Sequence, residues 1–406
     1  MKSLKIAHVT TVDISLRWLL QNQLQSLREA GYEVVGISSP GSDVPAIEAA
    51  GIRHVAVPIS RNLSPLADLV SLWRLCCRMR RERFTIIHTH TPKASLLGQL
   101  AARLAGVPIV VNTVHGFYFH EHMHAAARRS YIELEKVAAW CSDLILSQNA
   151  EDIQTALREG ICKQDKIKLL GNGIDLMRFD PDAISVEDEL RCRQRLGIAR
   201  DAPVVGYVGR LAARRKGFLD FLAAGRDVAA QLPQVRFLIA GEPDHGKSDA
   251  VDPSTAADYG IADRCLFLGS RPNGELPPLY KIMSVLVLPS IFEGLPRVVM
   301  EASAMGTPCV VTNVKGNREA VVDERNGLLV PLGDVRTLTA AILRILRERN
   351  TAQRMGSEAR RMAAERFDEQ LVFQRVKTEY RRLLREKGLP LPVGCSTERD
   401  PLQCTG

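Results

Sequence analysis

The 406-residue chain contains no C-x-x-C pair, no low-complexity tract and no apolar run long enough to span a membrane. Its longest apolar stretches, such as residues 104–114, are broken by Gly106 and Pro108. The first ten residues are too short and too polar for a signal peptide and read as a strand. A chain made and kept in the cytosol is therefore expected. The nine cysteines are odd in number and scattered; only Cys76 and Cys77 are adjacent. Cys141, Cys265 and Cys309 lie in apolar segments, where a thiol behaves as a small hydrophobe, which argues against a disulfide framework and a zinc site. No strand pattern is followed by G-x-G-x-x-G, which argues against a nicotinamide-binding domain.

Charge is plentiful but uneven. With 54 Lys and Arg against 46 Asp and Glu, the chain carries a net +8. One basic cluster lies at 74–83, where Arg74, Arg78 and Arg81 share a helix face; another runs through Arg375, Lys377, Arg381, Arg382, Arg385 and Lys387. Two readings stand side by side: solvated helix faces, or attraction to anionic lipid headgroups, worth roughly 1 kcal/mol per basic residue near the surface. Only Tyr380 interleaves these charges, so no nucleic-acid partner is expected.

The length allows two domains, each with its own core. Apolar strands alternate with amphipathic helical patterns: strand 4–10, helix 16–30, strands 33–38 and 85–88, a helix ending near 105, and strand 109–113. The pattern lapses into acidic, proline-containing sequence at 180–201 and restarts with strands 203–208, 235–240, 265–268, 285–288 and 308–312. The expected fold class is α/β, with two doubly wound, Rossmann-like domains whose strand ends face a shared cleft. From Val335 onward the pattern is nearly all helical, and the polar tail at 389–406 is expected to be disordered.

The most informative segment runs from Pro289 to Gly306, PSIFEGLPRVVMEASAMG. An apolar strand ends at Pro289, a Gly/Pro loop carries Glu293, and a helix carries Glu301 two turns in. Spacing alone proves little, since Glu151 and Glu159 repeat it on an ordinary helix. Context separates the pairs: Gly294 allows close backbone approach beside Glu293, and Pro296 begins the helix. The loop and first helical turn offer unpaired N–H groups and a positive dipole end, suited to a phosphate-bearing, polyhydroxylated ligand.

Strand 203–208 ends in Gly209-Arg-Leu-Ala-Ala-Arg-Arg-Lys-Gly217, so Arg210 and Lys216 offer two cations to a phosphate pair. His115 follows a strand, with Gly116 behind it; a lone histidine is more often structural, but the carboxyl end of a strand favours function. His120, His122 and His124 alternate, yet only Glu121 adds a ligand type, and no metal is expected. Residues 241–248 match the P-loop pattern letter for letter. Glu242 and Asp244 would repel phosphate, however, and the segment beyond, with Pro253, makes a poor helix. Asp180-Pro-Asp182 resembles a metal-binding D-x-D but lies in the linker.

As a set, these segments resemble the retaining glycosyltransferases of family 4, in particular the capsular-polysaccharide subgroup. The carriers are His88-Thr-His-Thr-Pro-Lys93, Val114-His-Gly-Phe117, Gly171-Asn-Gly-Ile-Asp175, Gly209-Arg-Leu with Lys216-Gly217, Pro289-Ser with Phe292-Glu-Gly-Leu-Pro296, Glu301-Ala302 with Met305-Gly306, and Asn326-Gly-Leu-Leu-Val-Pro331. The resemblance implies the GT-B fold: an acceptor-side domain at 1–187 joined by a returning helix at about 368–388, and a nucleotide-sugar domain at 188–367.

It also implies a metal-independent transferase that moves a hexosyl or N-acetylhexosaminyl group from a nucleotide-diphospho-sugar, a UDP-sugar, to a polysaccharide or lipid-linked precursor. Arg210 and Lys216 would hold the diphosphate and Glu301 the ribose hydroxyls. Glu293, Gly294 and Leu295 would face the sugar, Arg271 the base, and His115 the reacting carbon. No cofactor is implied. A lipid-linked acceptor would make Arg74, Arg78 and Arg81 a peripheral membrane contact. One departure stands out: Ile14 and Ser15 occupy the place of the family's glycine pair. Two rivals remain: a GT-B sugar-nucleotide epimerase, which needs no acceptor, and an inactive sugar-nucleotide-binding protein.

Overall fold

The computed structural model describes residues 4–60, 64–120, 123–244 and 247–392. The chain forms two compact units, one holding the chain up to Leu170 and again from Val372, the other holding Gly171–Leu371. The first boundary falls earlier than the expected 187, because Ile174 and Phe179 already pack in the second unit's core. The return falls later than 368, because Ile174 N–H donates to Phe367 O at 2.8 Å and Glu369 N–H donates to Ile174 O at 3.1 Å.

In the N-terminal unit, strands β1 (Leu4–Val12), β2 (Tyr32–Ser39), β3 (Arg53–Ala56), β4 (Ile86–His90), β5 (Ile109–Val114), β6 (Leu144–Ser147) and β7 (Ile167–Leu169) form one parallel sheet. Their order is β3-β2-β1-β4-β5-β6-β7. Every residue of β4, β5 and β6 is buried, as a parallel sheet covered on both faces requires. Helix Glu369–Glu386 belongs to this unit from Val372 on. It lays Val372, Phe373, Val376, Tyr380, Leu383 and Leu384 into the core beside Leu4, Ile6 and Leu16. Leu389 and Leu391 pack against the same core, so the tail is ordered past its expected start at 389. Residues 393–406 lie outside the described residues.

The helix expected at 16–30 is broken. A short turn Asp13–Ser15 runs into a π-type turn Leu16–Leu20 and then helix Gln21–Glu29. The wider turn lets both Leu16 and Leu20 face the core. Asp13 anchors its start: its carboxylate accepts from Ile14 N–H at 3.0 Å and from Asp43 N–H at 2.9 Å.

The second unit holds β8 (Val204–Val208), β9 (Arg236–Ala240), β10 (Cys265–Phe267), β11 (Val285–Leu288), β12 (Cys309–Thr312) and β13 (Gly327–Val330). They form a parallel sheet in the order β10-β9-β8-β11-β12-β13. Strand order reverses between β1 and β4 in the first sheet and between β8 and β11 in the second. Ligands of such sheets bind beyond the strand ends at these reversals.

Candidate active site

The loops after β8 and β11 flank the reversal of the second sheet, and they carry the two strongest motifs of the sequence. The structure stitches them together. Ile291 N–H donates to Arg215 O at 3.3 Å, and the Arg215 guanidinium lies 5.4 Å from the centroid of the Phe292 ring. Gly217, with φ of 63°, begins helix Phe218–Gln231; a Cβ there would stand 1.9 Å from Pro289 O. Only glycine permits both that backbone and that approach. Across this seam Lys216 Nζ meets Glu293 Oε1 at 2.6 Å, with side chains 18% and 11% exposed.

Each arm has a support that sequence reasoning missed. Asp249 accepts from Arg214 N–H at 2.9 Å and Arg215 N–H at 3.0 Å, folding the basic loop. Asp249 lies just past the P-loop match, which is followed by a short 3-10 turn, Pro253–Ala257, rather than the α-helix a P-loop needs; residues 245 and 246 of the match lie outside the described ones. On the other arm, Glu293 N–H donates to Lys315 O at 3.3 Å, and Asn172 Nδ2 donates to Leu295 O at 3.1 Å. Gly316, φ 84°, lies so close that a Cβ would stand 2.3 Å from Gly294 O. The signal for Asn172 was present in the Gly171-Asn-Gly-Ile-Asp175 motif; nothing local marked Asp249 or Lys315.

The other residues expected to bind the donor take other partners. Arg210 Nη1 pairs with Asp244 Oδ2 at 2.7 Å, and Arg210 O accepts from the buried Tyr207 hydroxyl at 2.8 Å. Glu301, in helix Arg297–Ala304, is buried; Tyr280 Oη donates to its Oε2 at 2.9 Å, and Arg297 Nε lies 3.7 Å from Oε1. Burial raises its pKa, and the Arg297 charge and Tyr280 hydroxyl offset only part of that rise. Arg271 bonds within its own neighbourhood, to Leu268 O at 2.9 Å and Glu275 Oε2 at 3.2 Å.

In the N-terminal unit His115 follows β5, and its Nε2 lies 3.1 Å from His90 Nδ1. Behind it stands a buried cluster that the sequence reading did not foresee: His8 on β1, His88 and His90 on β4, and Tyr380 on the returning helix. His8 and His88 are register partners at the β1–β4 reversal. Burial pushes the His8 imidazole down to about 3 and holds His88 and His90 well below the ordinary value, so all three are neutral. One nitrogen from each lies within 4.8 Å of the others. Of the H-x-H-x-H stretch, Glu121 and His122 lie outside the described residues.

Arg74, Arg78 and Arg81 lie on helix Pro65–Glu82 and line a recess of about 370 Å³ with Trp73, Cys77 and Pro58. The same helix exposes Leu66, Leu69 and Val70. Among the described residues no helix is long and apolar enough to cross a membrane.

Comparison with known proteins gives two matching families. The model described as "Glycosyl transferases group 1" matches residues 188–362, and that described as "Glycosyl transferase 4-like domain" matches 17–173. An Escherichia coli UDP-Gal:alpha-D-GlcNAc-diphosphoundecaprenol alpha-1,3-galactosyltransferase is 32% identical over 84% of this chain and 88% of that protein. The Staphylococcus aureus capsular polysaccharide biosynthesis glycosyltransferase CapM is 28% identical over 95% of this chain and 99% of that protein. The fold matches that of Anabaena HepE, solved with UDP-glucose, with a TM-score of 0.78 and 22% identity over 93% of this chain and 99% of that one.

Proposed function

We propose that this chain, which belongs to the group 1 glycosyl transferases with a GT4-like N-terminal half, transfers a sugar from a UDP-sugar to a lipid-linked glycan precursor, with retention and without a metal. The observation that carries this reading is the Lys216–Glu293 pair, set where the strand order of the second sheet reverses. The E. coli relative's printed name supports the choice of a UDP-sugar and a diphospholipid-linked acceptor.

The chemistry follows from charge. As the anomeric bond breaks, negative charge grows on the departing diphosphate and positive character on the sugar. Lys216 has three donors, of which Glu293 takes one, and Arg210 has five, of which Asp244 takes one. The others face the phosphates and stabilise the leaving charge, as fixed donors do in a site that excludes water. Glu293 and the N–H groups around Gly294 and Leu295 accept and donate to the sugar hydroxyls. Glu301 takes the ribose diol, Arg271 borders the base, and His115 acts on the sugar at the reacting carbon. The departing phosphate itself takes the acceptor's proton, so the new bond forms on the face the leaving group vacates.

An acceptor held in a bilayer calls for a surface that meets headgroups. Helix Pro65–Glu82 supplies one, with exposed apolar Leu66, Leu69, Val70 and Trp73 followed by exposed Arg74 and Arg81 and half-buried Arg78. Incubation of Lys216→Ala with donor and lipid acceptor tests the core of the reading: transfer should fall about 100-fold with the fold intact, the scale of losing one fixed donor to developing charge. Unchanged turnover would remove Lys216 from the site.

A further inference from the structure

We propose that the recess between strand β3 and helix Pro65–Glu82 is a site for a dianionic phosphate group, a phosphomonoester or a diphosphate, at the head of a lipid. The three arginines are the starting point. Positions 74, 78 and 81 recur one and two turns apart on one helix face, and Arg74, Arg78 and Arg81 all line the same recess of about 370 Å³. Val57 and Pro58, just past β3, line it with Trp73 and Cys77. That volume lies in the range of roughly 300–1,000 Å³ found for small-ligand sites.

The recess is not neutralised from within. Among the described residues the side chains of Arg74, Arg78 and Arg81 have no hydrogen-bond or ion-pair partner, and no acidic residue lines the recess. The helix's own carboxylates are committed elsewhere. Asp68 pairs with Lys93 at 2.5 Å, and Glu82 pairs with Lys5 and, at 2.8 Å, with Arg53. The basic cluster near the C-terminus behaves differently. Arg375 donates to Leu170 O at 2.7 Å and Lys377 to Ser26 Oγ at 3.3 Å, while Arg382 pairs with Glu379 at 2.7 Å and Lys387 with Asp143 at 3.3 Å. Those cations serve the fold. Like charges at this helical spacing repel and weaken the helix, so the three arginines at 74–81 gain nothing for stability and are matched to an anion from outside.

Their number selects the anion. Each guanidinium presents a planar fork that can take two oxygens of one phosphate. A phosphodiester headgroup carries a single charge, too little for three forks. A phosphomonoester carries about −1.5 to −2 charges on three acceptor oxygens, and a diphosphate spreads a similar charge over more. The lipid is read from the wall at Trp73, whose exposed ring shares a helix face with exposed Leu69 and Val70, so an apolar surface adjoins the cationic recess. The choice of a lipid rests on the lipid-linked acceptor proposed above; the preference for a dianionic phosphate rests on the recess itself.

Cys77 reports on the recess locally. Its side chain is exposed and lines the recess, its neighbour Cys76 is buried, and the loops at 209–217 and 289–296 contain no cysteine. Full-length protein is alkylated with iodoacetamide at physiological salt, where charges beyond about 8 Å are screened, and each cysteine is followed by peptide mass spectrometry. Inorganic diphosphate should slow Cys77 and leave the half-buried Cys162 at its own rate. Vesicles containing phosphatidic acid should slow Cys77 more than phosphatidylglycerol vesicles matched in surface charge. Arg78→Gln should raise the diphosphate concentration needed for half-protection about 10–100-fold, the loss of one charge-assisted contact. Arg78→Lys, which keeps the charge without the fork, should fall between.

Cys77 unprotected by diphosphate, or slowed equally by the two kinds of vesicle, would overturn the proposal. So would diphosphate protection unchanged in Arg78→Gln, or protection by soluble diphosphate with none from either vesicle. Alkylation needs no turnover. Wild-type protein that glycosylates lipid with Cys77 unprotected would fail the recess alone, whereas protected Cys77 in protein that moves no sugar would fail the transferase reading alone.

Discussion

Lys216 and Glu293 lie 77 positions apart and meet as a part-buried ion pair. Glu293→Gln keeps a side chain of the same size beside Lys216 but removes the charge that orients it. Turnover should drop by about 10–100-fold with little change in melting temperature, because a charge-assisted hydrogen bond is worth roughly 1.5–3 kcal/mol; an unimpaired variant would deny the pair its role. Glu301 makes a different prediction. Its folded pKa is raised by burial, so the folded protein binds more protons than the unfolded chain above the ordinary value of 4.5. Stability is therefore full below about 4.5 and lost as pH rises through the folded pKa. Glu301→Gln lacks this loss, so its melting temperature should gain on wild type as pH is raised from 4 to 7. A constant difference would contradict the assignment.

At the scale of elements, helix Glu369–Glu386 is a structural part of the unit that the chain left at Leu170. Six of its apolar side chains enter that core, at roughly 1.5–3 kcal/mol each. That is comparable with the whole stability of a domain, about 5–15 kcal/mol. Truncation after Asp368 should leave protein that fails to melt cooperatively in calorimetry; a sharp two-state transition for the N-terminal unit would contradict this. Helix Pro65–Glu82 makes the complementary test at the surface. Replacing Arg74, Arg78 and Arg81 by Glu should release the protein from anionic vesicles in a flotation assay while transfer to a detergent-solubilised acceptor persists, and unchanged flotation would exclude the contact.

These elements differ in how openly they were written in the sequence. Strands β8 and β11 show as unbroken apolar runs because a covered parallel sheet buries every residue. The Gly/Pro loop with Glu293 is marked by residues whose backbone demands are local. The π-type turn at Leu16–Leu20 is hidden, since its cause is where Leu16 and Leu20 meet the sheet rather than any propensity of their own. Asp249 and Lys315 escaped notice because each supports a loop distant in sequence. The buried histidine cluster left one readable sign, the i, i+2 spacing of His88 and His90 on one strand face. Its other members come from β1 and from a helix almost 300 residues away, and only the fold brings them together.

For the molecule as a whole, the three buried neutral histidines link stability to acid. Their folded pKa values are depressed, His8 to about 3, so their contribution is present above the unfolded value of 6.5 and lost as pH falls below it. Urea midpoints should fall from pH 7.5 to 5, with roughly three protons taken up on unfolding from these rings at pH 5. A flat midpoint would contradict a buried neutral cluster. The central claim is the transfer itself, and radiolabelled UDP-sugars incubated with membrane lipid extract in excess EDTA test it most directly. The account predicts label moving into the lipid fraction with wild type and about 100-fold less with Lys216→Ala. Isomerised donor with unlabelled lipid, or turnover abolished by the chelator, would contradict it.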